Sequence, residues 1–90
     1  MELIVSRHFK KQVRALAENK PNLKGKINSC LIDFSEKGRK SKYHRKRLKG
    51  DLFGYEELQV GGDIRILIRI HDSKDIAVLE QIGTHSQLGL

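Results

Sequence analysis

Isoleucine occupies every second position from Ile64 to Ile70, and the positions between are mostly charged. Successive side chains of a β-strand point to opposite faces, so this period of two predicts a strand with one apolar face and one mixed polar face. The apolar face would carry Ile64, Ile66, Ile68 and Ile70. The other face would carry Asp63, Arg65, Leu67 and Arg69. This stretch is the predicted central strand of the fold.

Apolar residues at helical spacing predict two helices ahead of that strand. The first helix would begin after Ser6, a good N-cap, and would bury Phe9, Val13, Leu16 and Ala17. The second would begin at Pro21 and end before Gly38. Its apolar stripe comprises Leu23, Ile27, Cys30, Leu31 and Phe34. Because Cys30 lies on this stripe, we interpret it as a core residue and not as a nucleophile.

Further strands complete a small sheet. The apolar run Glu2–Val5 predicts an edge strand, and the runs Tyr55–Val60 and Ile76–Ile82 predict neighbours of the central strand. A shift of one residue would turn every side chain to the other face, so the apolar pattern also predicts the register. The predicted pairs are Val60 with Ile64, Leu58 with Ile66, Ile70 with Ile76, and Arg65 with Gln81.

These elements together predict an α+β fold in a single domain, residues 1–90. An N-terminal strand would lead into a two-helix hairpin packed on one face of a small, mainly antiparallel sheet. The single cysteine excludes an internal disulfide and fits a reducing compartment. The sequence has no segment typical of a signal peptide or a membrane span, so we expect a cytoplasmic protein that does not enter a membrane.

The predicted register leaves one sheet face that the helices would not cover. This face would carry Tyr55, Glu57, Gln59, Arg65, Arg69 and Gln81. His85 continues the parity of Gln81 beyond the strand, and Asp63 lies in the adjoining turn. A face this polar is either solvated surface or a binding platform, and a nearby basic segment favours the platform.

Positive charge is concentrated in that segment. The chain has a formal net charge of +7 at pH 7, yet residues 37–49 alone contain eight lysines and arginines and no acidic residue. The rest of the chain has ten basic and eleven acidic residues and sums to −1. Such clustering favours a polyphosphate partner over the alternative of a solvated basic loop.

Several short motifs resemble the RelE/YafQ-type toxins of bacterial toxin–antitoxin modules. They are Leu48-Lys49-Gly50, Gly54-Tyr55-Glu56, the strand from Asp63 to Ile68, and Ile82-Gly83-Thr84-His85-Ser86-Gln87-Leu88. The resemblance covers roughly residues 45–90, and Gly-Thr-His-Ser is its most specific part. It implies a microbial-RNase-like fold, cleavage of mRNA (often on the ribosome) without a metal or other cofactor, and neutralisation by an antitoxin protein.

The resemblance also implies a set of catalytic residues. His85 matches the C-terminal histidine of the YafQ branch, and Asp63 matches the aspartate of that branch near the start of the same strand. Arg65 matches the phosphate-contacting arginine of the RelE branch. Lys46 stands where YafQ-like members have a histidine, while Gln59 and Gln81 replace a second histidine and an arginine.

General chemistry supports roles for some of these groups. The planar guanidinium of Arg65 suits a phosphate, and the imidazole of His85 suits the role of an acid or base. The missing family histidine is replaced either by Lys46 or by the neighbouring His44. Tyr55 is expected either to stack on a base or to pack beside a long side chain. The predicted RNA-binding set comprises Arg39, Lys40, Lys42, His44, Arg45, Arg47, Lys49, Tyr55, Gln59, Arg69 and Gln81. No spacing of His, Cys and Asp resembles a zinc site.

Two other functions stay open at the level of the sequence. One is a ParE-like toxin of the same fold that inhibits a protein such as gyrase, because a fold alone does not define an activity. The other is an RNA-binding module without catalysis, which the replaced histidines keep open. The basic segment and His85 favour the ribonuclease.

Overall fold

The computed structural model describes the whole chain, Met1 to Leu90. The strands are β1 (Glu2–Val5), β2 (His44–Arg47), β3 (Glu56–Gly61), β4 (Ile64–His71) and β5 (Ile76–Thr84). The helices are α1 (Arg7–Asn19) and α2 (Pro21–Lys37), and short 3-10 turns occupy Gly38–Lys40, Gly50–Leu52 and Asp72–Lys74.

Local chemistry fixes the ends of both helices. The Ser6 hydroxyl accepts a hydrogen bond of 3.1 Å from the backbone N–H of Phe9, which satisfies one free donor at the start of α1. Pro21 lies in the first turn of α2, where a missing N–H costs nothing. Gly38 ends α2 at a φ of 58°, a conformation that glycine adopts without a Cβ clash. These predicted helix ends are confirmed. Neither helix is long and apolar enough to cross a membrane.

All five strands form one sheet in the order β1-β5-β4-β3-β2. β1 runs parallel to β5, and the other neighbours are antiparallel. The helices pack on one face, where the isoleucine side of β4 meets α2 in a core of 13 buried residues. Ile66, Ile68 and Phe34 are fully buried there. The predicted α+β architecture is therefore confirmed.

Cys30 belongs to this core, as predicted. Its side chain is fully buried, and burial raises the pKa of the thiol to about 12. A thiol with so high a pKa stays protonated near neutral pH and is a poor nucleophile.

The register between β3 and β4 follows the prediction over most of its length. Leu58 lies opposite Ile66, and Gln59 lies opposite Arg65. The pairing then shifts, so that Ile64 faces Gly61 and not the predicted Val60.

Between β4 and β5 the predicted register is wrong by one residue from His71 to Ile68 and by two residues from Leu67 to Ile64. Arg65 lies opposite Gly83 and not opposite Gln81, and Ile70 lies opposite Ala77. The change matters for the site, because the residue facing Arg65 has no side chain.

A bulge in β5 explains the additional shift of one residue from Leu67 onward. Leu79 and Ile82 are both buried in the main core, yet in a regular strand residues three apart point to opposite faces. The pairing shifts where Ile68 faces Leu79 and Leu67 faces Gln81, which leaves Glu80 without a partner. One extra residue turns the rest of β5 over, so that Ile82 reaches the core.

A second apolar cluster lies on the face that the helices leave uncovered. Leu67 packs there against Leu48 and Leu88, and each of these leucines is at most 9% exposed. The chain turns back after β5, where the backbone N–H of Leu88 donates to the carbonyl of Thr84 at 3.1 Å. The predicted polar face is therefore interrupted at its centre, because the last residues of the chain cover Leu67.

The basic segment contains regular structure that was not predicted. It includes the 3-10 turn Gly38–Lys40 and the edge strand β2. The sequence of β2, His-Arg-Lys-Arg, has no apolar alternation from which a strand could be recognised. Cations on an edge strand also discourage pairing with another chain, so part of this charge has a structural use.

Replacing Leu67 with alanine tests the second cluster. We expect Leu67→Ala to lower the free energy of unfolding by about 2–5 kcal/mol, because the change leaves a cavity between β4 and the C-terminal residues. Urea unfolding followed by circular dichroism measures the loss. Ile32→Ala is the control: Ile32 is 60% exposed, and its loss should change stability by no more than about 0.5 kcal/mol. Equal losses in the two variants would contradict a packed second cluster.

Candidate functional site

Several polar residues meet where β3 turns into β4 and where β5 ends. We call this group the turn-end site and define it as Glu57, Gln59, Asp63, Arg65 and His85. The β3–β4 pairing sets Gln59 opposite Arg65, and the β4–β5 pairing sets Gly83, two residues before His85, on the other side of Arg65. The structure thus gathers residues from three strands at one end of the sheet.

Arg65 is the best-held cation of the site. Its side chain is only 16% exposed, its Nη1 donates to the carbonyl of Gly62 at 3.0 Å, and its Nε lies 3.5 Å from Oε2 of Glu57. The Nε contact is an ion pair without hydrogen-bond geometry, which leaves that buried N–H without a hydrogen-bond partner. The guanidinium is therefore fixed in place, and its Nη2, which forms no hydrogen bond within the chain, keeps donor capacity for a ligand.

Glu57 was predicted on this face but not among the functional residues. Its side chain is 6% exposed, and its carboxylate meets Arg65. A buried carboxylate needs a charged or hydrogen-bonding partner, which makes this contact structurally significant. The available signal was its alternation with Gln59 on the polar face, although that pattern did not reveal its burial.

The backbone of His85 is fixed while its side chain is free. The His85 N–H donates to the carbonyl of Asp63 at 3.1 Å, and the His85 carbonyl accepts from Leu90 at 3.0 Å. The imidazole is exposed and makes no hydrogen bond or ion pair within the chain. It can therefore exchange protons with a ligand or with solvent at the edge of the site.

The remaining polar residues of the turn lie beside Arg65. The Gln59 amide donates to the carbonyl of Gly62 at 3.2 Å, the same oxygen that accepts from Arg65. The Asp63 side chain is exposed and forms no ion pair. Gln81, in contrast, lies opposite Leu67 and therefore farther along the sheet than predicted.

Lys46 approaches the site from β2. It pairs in register with Glu57, and directly opposite residues project to the same sheet face. Its side chain is exposed, as are those of Arg45 and Lys49, and none of the three forms an ion pair. A row of free cations thus borders the uncovered face.

Tyr55 and Arg69 lie at the other end of that face. The guanidinium carbon of Arg69 lies 4.4 Å from the centre of the Tyr55 ring, and Tyr55 also packs against the second apolar cluster. Of the two expectations for Tyr55, the structure favours packing beside a long side chain. Because Leu67 and Leu88 lie between, neither residue belongs to the turn-end site.

Arg39 and His44 are held by a buried carboxylate that the sequence analysis overlooked. Glu56 is 5% exposed and accepts two hydrogen bonds from Arg39, at 2.8 and 2.7 Å, and one from His44 Nε2 at 2.8 Å. Arg39 also donates to Asp72. His44 lies opposite Leu58, a residue of the main core, so it faces away from Lys46. Both side chains are thus engaged on the helix side of the sheet, and their contact with RNA stays a prediction.

The Glu56 contacts change its acid–base behaviour. Burial alone would raise the pKa of Glu56, but the hydrogen bonds from Arg39 and His44 outweigh that effect and hold the pKa below its ordinary value. The ionised carboxylate thus ties β2 and the turn at Gly38–Lys40 to the start of β3.

No group of three or more His, Cys, Asp or Glu side chains lies close enough together to hold a metal ion. The turn-end site offers a fixed guanidinium, a free imidazole and carboxylates, and Lys46 of β2 adds an amine beside it. This set can bind a phosphate and move protons at the oxygens around it.

A small α+β domain with a basic edge strand, and with arginine and histidine at one end of its sheet, has the features of the small toxins of bacterial toxin–antitoxin systems. The chain belongs to the YafQ family of such toxins. The family model described as "Bacterial toxin of type II toxin-antitoxin system, YafQ" matches residues 1–89. The resemblance predicted from the short motifs is confirmed. No curated protein matches the sequence significantly.

Solved structures share the fold at low sequence identity. A metal-bound toxin from Helicobacter pylori has a TM-score of 0.79 and 21% identity, with 98% of each chain covered. YafQ from E. coli strain BL21(DE3) has a TM-score of 0.66 and 22% identity, over 97% of this chain and 96% of that one. A heterotetrameric YoeB-YefM toxin–antitoxin complex from Staphylococcus aureus has a TM-score of 0.73 and 17% identity, over 94% and 97%. These likenesses establish the fold.

Replacing Glu56 with glutamine tests whether its ionised carboxylate stabilises the fold. A lowered folded pKa stabilises the protein above the unfolded value of about 4.3, and this stabilisation is lost as the pH falls through the folded pKa. We therefore expect the free energy of unfolding to fall less in Glu56→Gln than in the parent protein between about pH 6 and pH 3. Urea unfolding at several pH values measures this dependence.

Glu36→Gln provides the matched control, because Glu36 is exposed on α2 and forms no ion pair. It should keep the pH dependence of the parent protein. If the stability of Glu56→Gln fell with pH as steeply as that of the parent protein, the contacts with Arg39 and His44 would not be lowering the pKa of Glu56.

Proposed function

We propose that this toxin is an endoribonuclease that cleaves mRNA without a metal ion. The observation that carries the proposal is Arg65, a guanidinium fixed by Glu57 and Gly62 at an open end of the sheet, with the free imidazole of His85 beside the same turn. Membership of a type II toxin family supports the same activity and implies a cognate antitoxin as partner.

RNA supplies its own nucleophile for this reaction. The 2′-hydroxyl attacks the adjacent phosphorus, the bond to the 5′-oxygen of the next nucleotide breaks, and a cyclic phosphate remains. One proton leaves the 2′-oxygen and one reaches the departing 5′-oxygen. The protein needs to align these atoms, transfer the protons and stabilise charge on the phosphoryl oxygens.

Arg65 has the role of stabilising that charge. Its planar fork matches two phosphoryl oxygens, and its fixed position means that little reorganisation is needed when charge develops. Lys46, on the same face, adds a second positive charge. Arg65 and Lys46 both lie near Glu57, so its carboxylate partly balances their positive charge when no RNA is bound.

His85 has the role of acid or base. It is the exposed histidine at this end of the sheet, and its backbone bond to Asp63 holds it near the turn. Asp63 has the weaker role of orienting the imidazole or a water molecule. Gln59, beside Arg65, would contact the RNA backbone.

The free cations form the path of the RNA. Arg45, Lys46 and Lys49 follow one another along and after β2, and Lys40 and Lys42 precede them. Arg47 is largely exposed but lies opposite Glu56, so it adds positive charge at the other side of the edge strand. Binding through such contacts weakens steeply as salt rises.

The proposed substrate is mRNA on the ribosome in the cytoplasm, where the antitoxin would block the site. A toxin of the same fold that acts on a protein target would leave RNA intact. Incubation with mRNA, with and without ribosomes and in the presence of EDTA, therefore tests the function directly.

We expect cuts that EDTA does not prevent and that two substitutions greatly reduce. Arg65→Ala should slow cleavage about 10²–10³-fold by removing charge stabilisation. His85→Ala should slow it about 10²–10⁴-fold by removing proton transfer. Mapping of the cleaved ends under single-turnover conditions measures both losses and shows where the RNA is cut.

His71→Ala is the matched control for the histidine. His71 is also exposed, but it lies at the opposite end of β4. Cleavage should be unchanged in this variant. RNA binding without cuts would identify a binding module, and neither binding nor cuts would point to a protein target; either result overturns the proposal.

Glu57 acts through Arg65, as a positioning residue. Releasing the guanidinium in Glu57→Gln should slow cleavage by up to about 100-fold, because small displacements of an aligned group are costly. In the Arg65→Ala background the same change should have little further effect, since the two residues act as one unit. Additive losses in the double variant would instead indicate an independent role for Glu57.

A further inference from the structure

Phe53 is an exposed aromatic residue that the proposed reaction does not use. Its exposed fraction is 81%, the highest among the large apolar side chains of the protein. Exposure of so much apolar area is unfavourable in water, so a phenylalanine in this position calls for an explanation.

The loop that carries Phe53 is closed and well held. The Leu48 N–H donates to Tyr55 at 2.9 Å, the Phe53 N–H to Gly50 at 3.1 Å, and the Tyr55 N–H to Leu52 at 3.1 Å. Leu52 packs against the second apolar cluster. The Phe53 ring is thus exposed to solvent on a loop that hydrogen bonds and the packing of Leu52 hold in place.

Gly54 makes this conformation possible. Its φ of 96° is accessible to glycine but strained for other residues. Gly50, at a φ of 64°, begins the same short turn. The backbone therefore bends sharply on both sides of Leu52 and Phe53.

A shallow pocket of about 210 Å³ opens beside the ring. Its lining comprises Phe53, Gly54, Tyr55, Arg39, Arg47, Leu48 and Glu56. Whole small-molecule ligands usually need about 300–1,000 Å³, so this volume suits a single planar group.

The side chains that line the pocket have a net positive charge, because Arg39 and Arg47 stand against the single carboxylate of Glu56. Arg39 is engaged by Glu56 and by Asp72, whereas the Arg47 side chain is 69% exposed and only reaches within 4.0 Å of the Glu56 carboxylate. Lys49, in the same loop, is exposed and unpaired. An aromatic face beside free cations is the arrangement with which proteins hold unpaired bases and their phosphates.

We infer that Phe53 and Arg47 form a second RNA-binding subsite, in which a base stacks on the phenylalanine ring and Arg47 contacts the phosphate. The inference rests on the proposed RNA substrate. From Tyr55 to Gln59 the strand spans about 13 Å, so the base held here belongs to a nucleotide outside the scissile pair. Tyr55 does not supply this face, because Arg69 already lies against its ring.

The absence of tryptophan from the sequence gives a direct test. Phe53→Trp introduces a single indole that keeps a stacking face. Titration with a single-stranded oligoribonucleotide that carries 2′-O-methyl groups, and so cannot be cleaved, should quench its fluorescence. Ile32→Trp places the indole on α2 instead and should show no quenching.

Affinity for the same oligonucleotide gives the second readout. Phe53→Ala should weaken binding about 5- to 150-fold, the range expected for one stacked base, and Phe53→Tyr should bind as the parent protein does. Phe53→Leu is the sharpest control, because leucine keeps the apolar area but has no aromatic face; it should bind as weakly as the alanine variant.

Three results would overturn the inference: unchanged affinity in Phe53→Ala, full affinity in Phe53→Leu, or an indole at position 53 that responds to the purified antitoxin but not to RNA. The last result would identify a protein contact. The 2′-O-methyl probe lacks the nucleophile, so its binding is independent of cleavage. Failure of this subsite is therefore distinguishable from failure of the proposed ribonuclease.

Discussion

The burial of one face of β4 is the constraint on which the rest of the structure depends. Its isoleucines fill the main core beneath α2, and a strand has a period of two. Once Ile64, Ile66 and Ile68 are inside, Arg65 and Leu67 must lie on the other face. The same burial that stabilises the fold thus presents a guanidinium at the end of the sheet.

The other face is divided by apolar packing. Leu48 and Leu88 pack on Leu67 at the middle of the sheet, so the C-terminal residues lie across this face. The turn-end site lies on one side of these leucines, and the Tyr55–Arg69 contact lies on the other. Glu57 is only 6% exposed, so water screens its attraction to Arg65 less than it would screen an exposed pair.

The cations of the basic segment fall into two groups, which the sequence alone does not distinguish. Some of its cations are consumed by the fold: Lys37 pairs with Asp33, and Arg39 pairs with Glu56 and Asp72. Others remain free along β2 and the loop after it. The anchored residues hold the edge strand in place, and the free ones are available to a polyanion. The number of cations available to a polyanion is therefore smaller than the number of basic residues in the segment.

The sequence by itself determined what depends on local periodicity and capping. The central strand, both helices with their ends at Ser6 and Gly38, the buried Cys30 and the family likeness all followed from neighbouring residues. Only the tertiary structure decided the bulge at Glu80, the burial of Leu67 and the partners of Glu56 and Glu57. Those features depend on residues far apart in the chain, because burial and ion pairing are set by which strands meet. A local pattern gives the face on which a side chain lies, but only the complete fold gives the group that it contacts there.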